Sequence, residues 1–372
     1  MKNFGLRRCG NFLLLLAVAG SGLIGAQETR SGPWIIQSSG TTAGLRGIHA
    51  VGGGVAWGSG TNGTVLRTED SGYMWQSCAM PPGAEKLDFR GIWAWDANTA
   101  MVMASGPGDL SRIYKTTDGC SHWTLLYTNP DKDGFWDAMV FQNRHKGVLL
   151  GDPVNRRFVF LVTGDGGKTW KRSAAAGLEA GDGAKGSFAA SNSSLLAGLR
   201  EPVLFGTGGG YVYSQSYEGS VDFSAKAGTP IKMTERWSRI STPLNTPGDS
   251  TGIFSLGHHE GPVTGYGYTL VAVGGDYAKP NEPSGTAAWT ADGGQHWTAA
   301  QKPPHGYRSA VAWDADAKAW IAAGTNGSDI SYDDGKTWTP LDNGNWNALS
   351  LPWAVGPHGR IAKLDPGKLP QN

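Results

Sequence analysis

Charge is the first thing this chain has little of. Only 17% of its 372 residues are Asp, Glu, Lys or Arg, and 32 basic against 31 acidic residues leave a formal net charge of +1. That balance gives no general electrostatic reason to expect nucleic acid or an anionic membrane surface as partner, though it leaves room for a local charged patch. Cysteine is scarce as well: Cys9, Cys78 and Cys120 are the whole set, and their spacing does not resemble a zinc site. Outside the N-terminus no stretch holds the 3.6-residue apolar period of an amphipathic helix, which removes the helical fold classes. The longest apolar run, Phe12 to Ile24, is short and broken by Gly20, Ser21 and Gly22, which argues against a membrane anchor.

That run has another use. Lys2, Arg7 and Arg8 form a basic head before it, and Gly25-Ala26 supplies a small-residue end before Gln27, so residues 1–26 are expected to be a signal peptide cleaved after Ala26. The mature chain is then expected outside the plasma membrane, in the periplasm or extracellular space. Cys9 leaves with the signal, and Cys78 and Cys120 remain in an oxidising compartment. Their spacing permits either a bridge or two separate buried thiols.

What is abundant is glycine, proline and tryptophan, at 57, 20 and 16 residues. This is the composition of many short strands joined by tight turns. The tryptophans are not scattered. The pattern Ser/Thr-x-Asp-x-Gly-x-x-Trp occurs at Thr68–Trp75, Thr163–Trp170, Thr290–Trp297 and Ser331–Trp338, and Thr116–Trp123 repeats it with Cys120 in the glycine position. Such a segment makes a hairpin turn: the carboxylates of Asp70, Asp118, Asp165, Asp292 and Asp333 accept from backbone N–H groups, and the glycine takes positive φ. Recurrence at one turn position marks these aspartates as structural. Each Trp then opens a strand and offers a large apolar surface to its neighbours.

Aligned on Trp34, Trp75, Trp123, Trp170, Trp237, Trp297 and Trp338, the chain divides into units of four strands. The innermost strands are expected to begin at Leu45-Arg46-Gly47-Ile48, Phe89-Arg90-Gly91-Ile92, Phe135-Trp136-Asp137-Ala138, Gly186-Ser187-Phe188-Ala189, Thr251-Gly252-Ile253-Phe254, Tyr307-Arg308-Ser309-Ala310 and Trp346-Asn347-Ala348-Leu349. Four strands per unit is a propeller blade. The last unit has only three strands and Trp34 to Gln37 has no unit before it. The expected fold is therefore all-β: a seven-bladed β-propeller over residues 31–364, closed by the N-terminal strand completing the last blade, with 365–372 as a C-terminal tail. The fourth unit is degenerate, so six or eight blades stay open at this level.

Several motifs look like chemistry. Gly58 to Gly63 matches G-x-G-x-x-G but is followed by the strand-like Thr64-Val65-Leu66-Arg67 and not by a helix, so it reads as a blade turn. Gly164 to Thr169 lacks the first glycine of a phosphate loop. His258-His259-Glu260 lacks a second zinc-spaced histidine, and neither a metal nor a cofactor is expected. In a propeller, blade-to-blade connections and the loops from second to third strand share one face, opposite the Asp turns. Candidate binding residues on that face are Arg46, Arg90 and Arg308 at first-strand positions, with Asp137 and Asn347 near the same level. Asp152, Arg156 and Arg157 come from one loop, Asp276, Tyr277 and Lys279 from another, and Arg360 from a third. Three arginines round a central mouth suit a carboxylate or phosphate, and equally suit salt bridges to Asp137, Asp152 and Asp276 that stitch blades together.

The Asp turns are similar to the BNR/Asp-box repeats of sialidases and of the photosystem II stability/assembly factor family. The run from Trp34 to Leu364 resembles the latter and its bacterial relatives, through the openings L-R-G-I, F-R-G-I and Y-R-S-A and the closing Trp353-Ala-Val-Gly-Pro-His-Gly-Arg-Ile361. That resemblance implies an exported, non-catalytic propeller. Its arginine-lined face, here Arg46, Arg90 and Arg308, would bind a protein such as a membrane-complex subunit during assembly. No residue here identifies a photosynthetic host. The alternative is a sialidase-like glycoside hydrolase gripping a carboxylated sugar with that arginine triad, with Tyr277 as nucleophile and Asp137 or Asp152 as acid. The F-R-I-P opening of sialidases stands here as L-R-G-I, and no Tyr/Glu pair suggests itself.

Overall fold

A computed structural model describes residues 32–198, 203–220, 232–244, 246–259 and 268–371. The expected signal peptide, Cys9 and Glu260 lie outside the described residues. Among the described residues there are seven four-stranded antiparallel sheets. Blade 1 holds Leu45–Gly52, Val55–Gly60, Val65–Thr68 and Gln76–Ser77. Blade 2 holds Phe89–Ala94, Ala100–Ala104, Arg112–Thr116 and Thr124–Thr128. Blade 3 holds Trp136–Phe141, Gly147–Val154, Arg157–Thr163 and Lys171–Arg172. Blade 4 comprises Leu195–Leu196, Leu204–Gly206, Tyr211–Ser220 and Lys232–Ser241; blade 5, Thr251–His259, Thr269–Asp276, Ala287–Thr290 and Thr298–Ala299; blade 6, Ala310–Asp314, Ala319–Gly324, Gly327–Ser331 and Thr339–Asp342. Blade 7 combines Ala348–Ser350, Trp353–Val355 and Ile361–Leu364 with Trp34–Gln37 as its outer strand.

The fold is a seven-bladed β-propeller, and the N-terminal strand closes it as the unpaired ends of the sequence required. Trp34 pairs with Leu364 and Gln37 with Ile361, so the outer edge of the last blade is supplied from the other end of the chain. Packing shows the same closure. Seven apolar clusters each straddle one pair of adjacent blades: Trp75, Leu45 and Ile48 of blade 1 meet Trp353, Val355 and Ile361 of blade 7, and Trp338 and Trp320 of blade 6 meet Val271 and Val273 of blade 5. The ring is thus held by apolar wedges between sheets, with the repeat Trp as a principal wedge.

The Asp turns do what their residues dictate. In blade 3, Thr163 Oγ1 donates to Asp165 Oδ1 at 2.9 Å, Gly167 N donates back to Thr163 Oγ1 at 3.0 Å, and Thr169 N donates to Asp165 Oδ1 at 2.9 Å. The corresponding set recurs around Asp70, Asp118, Asp292 and Asp333. Gly166 and Gly167 both have positive φ, at 74° and 82°, which glycine adopts without steric cost. Cys120 holds that conformation at φ 66° without being glycine, and its sulfur is bonded to Cys78. The bridge joins the end of blade 1 to the Asp turn of blade 2, over a Cα–Cα distance of 5.3 Å.

The chain departs from the expected strand starts most in the fourth unit; the inner strands of blades 3, 6 and 7 begin at Trp136, Ala310 and Ala348 instead of Phe135, Tyr307 and Trp346. Residues 186–189 are not a strand, and the inner strand of blade 4 begins at Leu195. The stretch had the right apolar spacing, but Ser187 N is taken by Asp152 Oδ1 at 2.9 Å, a side chain of blade 3, instead of a strand partner. Gly58 to Gly63 is, as its flanks indicated, the hairpin between two antiparallel strands. After the last strand, Asp365 N donates to Pro33 O at 2.7 Å, and Leu369 is buried against Trp34 and Leu364.

Candidate functional site: an amphipathic funnel on the connection face

Antiparallel blades place the Asp turns at one end of the ring and the blade connections, with the second-to-third-strand hairpins, at the other. At the connection end the inner strands open into a funnel of about 450 Å³. Its lining follows from one backbone irregularity. In blades 1, 2, 3 and 5 the inner strand carries a bulge near its start, and the extra residue is Arg46, Arg90, Asp137 or Phe254. A bulge turns a side chain out of the sheet's alternation, here toward the axis. In blades 6 and 7 the same level is taken by Ser309 and Asn347, and all six residues line the funnel.

Walking round the ring, the charged groups come from one side and most of the aromatic ones from the other. Blades 1 to 3 contribute Arg46, Arg90, Asp137 and Asp152, with Phe135 beside Asp137. The approach to blade 4, blade 5 and the approach to blade 6 contribute Phe188, Phe254, Tyr277 and Tyr307. Phe188 and Phe254 are stacked with centroids 3.7 Å apart, and Tyr277 and Tyr307 stand edge-on to Phe254. Ser309 and Asn347 close the circle: Asn347 Nδ2 donates to Leu45 O at 2.7 Å, and Ser309 Oγ donates to Asn347 O at 2.9 Å.

The charged wall is unevenly satisfied. Arg90 Nε donates to Asp88 Oδ2 at 2.8 Å, and its Nη1 to Ala189 O at 3.2 Å. The Arg46 guanidinium has no hydrogen-bond or ion-pair partner among the described residues, and its Nε is buried. Burial, and then the neighbouring Arg90 cation, lower the Arg46 pKa, while Asp88 and Tyr307 act the other way. Asp137 is 1% exposed and its Oδ2 has no partner. Burial first, and the Asp152 carboxylate second, push its carboxyl well above the ordinary range, against the pull of Arg90. Burial also raises Asp152, whose Oδ1 accepts from Ser187 N. A carboxyl kept neutral at this depth is a hydrogen-bond donor as well as an acceptor.

Arg308 does not belong to this wall. It is 0% exposed, its Nε donates to Asp329 Oδ2 at 2.6 Å, and its Nη1 donates to Asn326 Oδ1 at 2.5 Å and Tyr307 O at 2.6 Å. The reason is register. Arg308 N donates to Gly274 O of the preceding blade, as Leu45 N does to Gly356 O, so Arg308 is the counterpart of Leu45, and Ser309 takes the level of Arg46. The likeness of Y-R-S-A to L-R-G-I is one residue out of step.

The remaining candidates are dispersed. Arg156 is exposed at a hairpin tip with φ 63°, and Arg157 pairs with Glu179 Oε1 at 2.5 Å. Arg360 lies over the Trp346 ring at 4.4 Å. From the Asp276 loop only Tyr277, 53% exposed, reaches the funnel; Asp276 caps its own loop through Ala278 N, and Lys279 is exposed at 3.9 Å from it. None of the salt bridges to Asp137, Asp152 or Asp276 considered for Arg46, Arg90 and Arg308 forms. His259 pairs with Asp334 and stacks on Trp313. No group of three or more potential metal-ligating side chains occurs among the described residues. The residues that sequence reasoning missed are the aromatic ones, Phe135, Phe188, Phe254 and Tyr307. Only the bulge, which pairs Ile253 with Gly274 and Ser255 with Val273, identifies Phe254 as the counterpart of Arg46.

No protein-family model matches the chain, and no curated protein matches it in sequence. Solved structures do. A structure described as YCF48 from Cyanidioschyzon merolae superposes with a TM-score of 0.58 at 16% identity, covering 90% of this chain and 99% of that one. YCF48 bound to D1 peptide gives 0.55 at 14% identity, covering 89% and 96%. The extracellular domain of a putative hybrid two component system, BT4673 from B. thetaiotaomicron, gives 0.57 at 11%, covering 89% of this chain and 40% of that chain. At such identities the likeness establishes the propeller fold.

Proposed function

We propose that this chain is an exported, non-catalytic propeller that binds a protein partner through the funnel face, as a scaffold or assembly factor. The observation that carries this reading is the Arg46 guanidinium, half-buried beside Arg90 at the mouth of the ring and without a partner among the described residues. A cation desolvated without an internal partner costs stability, and an external anionic group recovers that cost on binding. A propeller of similar fold that carries a peptide, YCF48 bound to D1 peptide, adds a fold-level analogy. The Cys78–Cys120 bridge fits an oxidising compartment. The partner would be a protein of that compartment, such as a membrane-complex subunit.

The test is co-purification from the exported fraction with the natural chain and with an Arg46→Ala/Arg90→Ala variant whose thermal unfolding is unchanged. Selective loss of one partner from the variant supports the face; equal recovery of every partner from both sinks it. The hydrolase alternative finds no support in the geometry. Arg308, the third member of its triad, is locked against Asp329, and among the described residues no glutamate lines the funnel beside Tyr277.

A further inference from the structure

Resting on the funnel as the binding face, we propose that it recognises one carboxylate attached to an apolar, ring-sized group: the carboxylate sits between Arg46 and Asp137, and the apolar group lies against the Phe254 wall. Three observations converge on that chemistry. Arg46 presents a planar cation with unused donors, matched to the two oxygens of a carboxylate. Across the same cavity Asp137 Oδ2 is buried without a partner, so a ligand oxygen that accepts from it removes the cost of its isolation. The rest of the lining is largely aromatic and uncharged around Phe254, so a uniformly polar ligand would leave its own groups unpaired there. A volume of about 450 Å³ suits a ligand of small-molecule size or the last residue of a chain.

Asp137 makes the site proton-dependent. The charged groups facing it are Asp152 on the second strand of its own blade and Arg90 on blade 2, with Arg46 across the cavity. With Asp137 neutral, its O–H donates to the bound carboxylate. Once it ionises, its negative charge opposes that of the bound carboxylate and binding weakens.

The experiment is calorimetric titration of the full chain with N-acetyl-tryptophan, its amide, N-acetylneuraminate, and a short peptide ending in Trp with a free or amidated terminus. The expected result is that the free acid, or only the free-ended peptide, binds, and that amidation or Arg46→Ala weakens it about tenfold or more. Binding by the small acid identifies a free metabolite-sized ligand, and binding by the peptide alone identifies a chain end. Asp137→Asn, which keeps a donor and cannot ionise, is expected to retain affinity and to lose the decline seen as pH rises. Acid and amide binding equally, N-acetylneuraminate binding as well as the indole acid, or no acid binding at millimolar concentration would each overturn the carboxylate assignment. Each would leave the partner-binding face to be judged separately by the co-purification.

Discussion

The two ends of the ring are built by the same units, yet they differ in kind. At the Asp-turn end, five blades repeat one set of hydrogen bonds nearly atom for atom, and the aspartates are partnered and largely solvated. At the connection end, equivalent positions hold Arg46, Arg90, Asp137, Phe254, Ser309 and Asn347, five kinds of side chain, of which Arg46 and Asp137 have polar atoms without partners among the described residues. A turn that must close a hairpin tolerates one solution, whereas a position facing the axis is held by backbone pairing on either side and leaves its side chain free to vary. Folding information is concentrated at the first end and recognition at the second.

The sharpest way to break this contrast is to compare Arg308 with Arg46. Arg308→Ala strands the fully buried Asp329 and is expected to destabilise the protein by about 3–5 kcal/mol in urea unfolding. An effect below about 1 kcal/mol would mean that the pair is not held as described. Next in size, reducing Cys78–Cys120 frees two residues 42 apart and should lower stability by about 2–4 kcal/mol, measured as a shift in Tm with and without reductant. In the Asp turns, Asp333→Ala removes the acceptor for Thr337 N and Ser331 Oγ and should cost about 1 kcal/mol by the same urea measurement.

Acid tests the turns collectively. The Asp118 carboxyl is held at about 2, chiefly by its hydrogen bond with His122, and Asp165 at about 2, chiefly by Thr169. A pKa depressed by folding contributes stability above the unfolded value near 4, and that contribution is lost as pH falls toward about 2. The urea midpoint should therefore drop across that window, and less steeply in Asp118→Asn/Asp165→Asn. A slope identical in that variant would count against the turns. The smallest expected effect is Arg46→Ala, within about 0.5 kcal/mol of the natural chain; a large loss there would place Arg46 with the structural residues.

What could be read without coordinates divides along the same line. The repeat, the four-strand unit and the closure of the last blade by Trp34–Gln37 were legible because turn chemistry is local: Ser/Thr, Asp, Gly and Trp at fixed offsets meet one another whatever the rest of the chain does. Arg46 and Arg90 were placed at the right level because their strands began where expected, and Asp137 and Asn347 because theirs began within two residues of it. Arg308 was not, because a one-residue difference in where blade 6 pairs with blade 5 decides whether an arginine faces the axis or a buried aspartate. Residues 186–189 failed for a related reason: a side chain from another blade, Asp152, satisfied a backbone group that would otherwise have paired in a strand.

The sequence by itself determined the kind of unit and the way the ring closes, since each rests on contacts within a few residues or on pairing the two unmatched ends; the count of seven was settled by the sheets. Only the tertiary structure decided that Cys78 and Cys120 join, that Arg46 has no partner among the described residues, and that aromatic and charged side chains share one funnel. Those outcomes depend on bulges and inter-blade register, where shifting one residue exchanges the side chain that meets the axis.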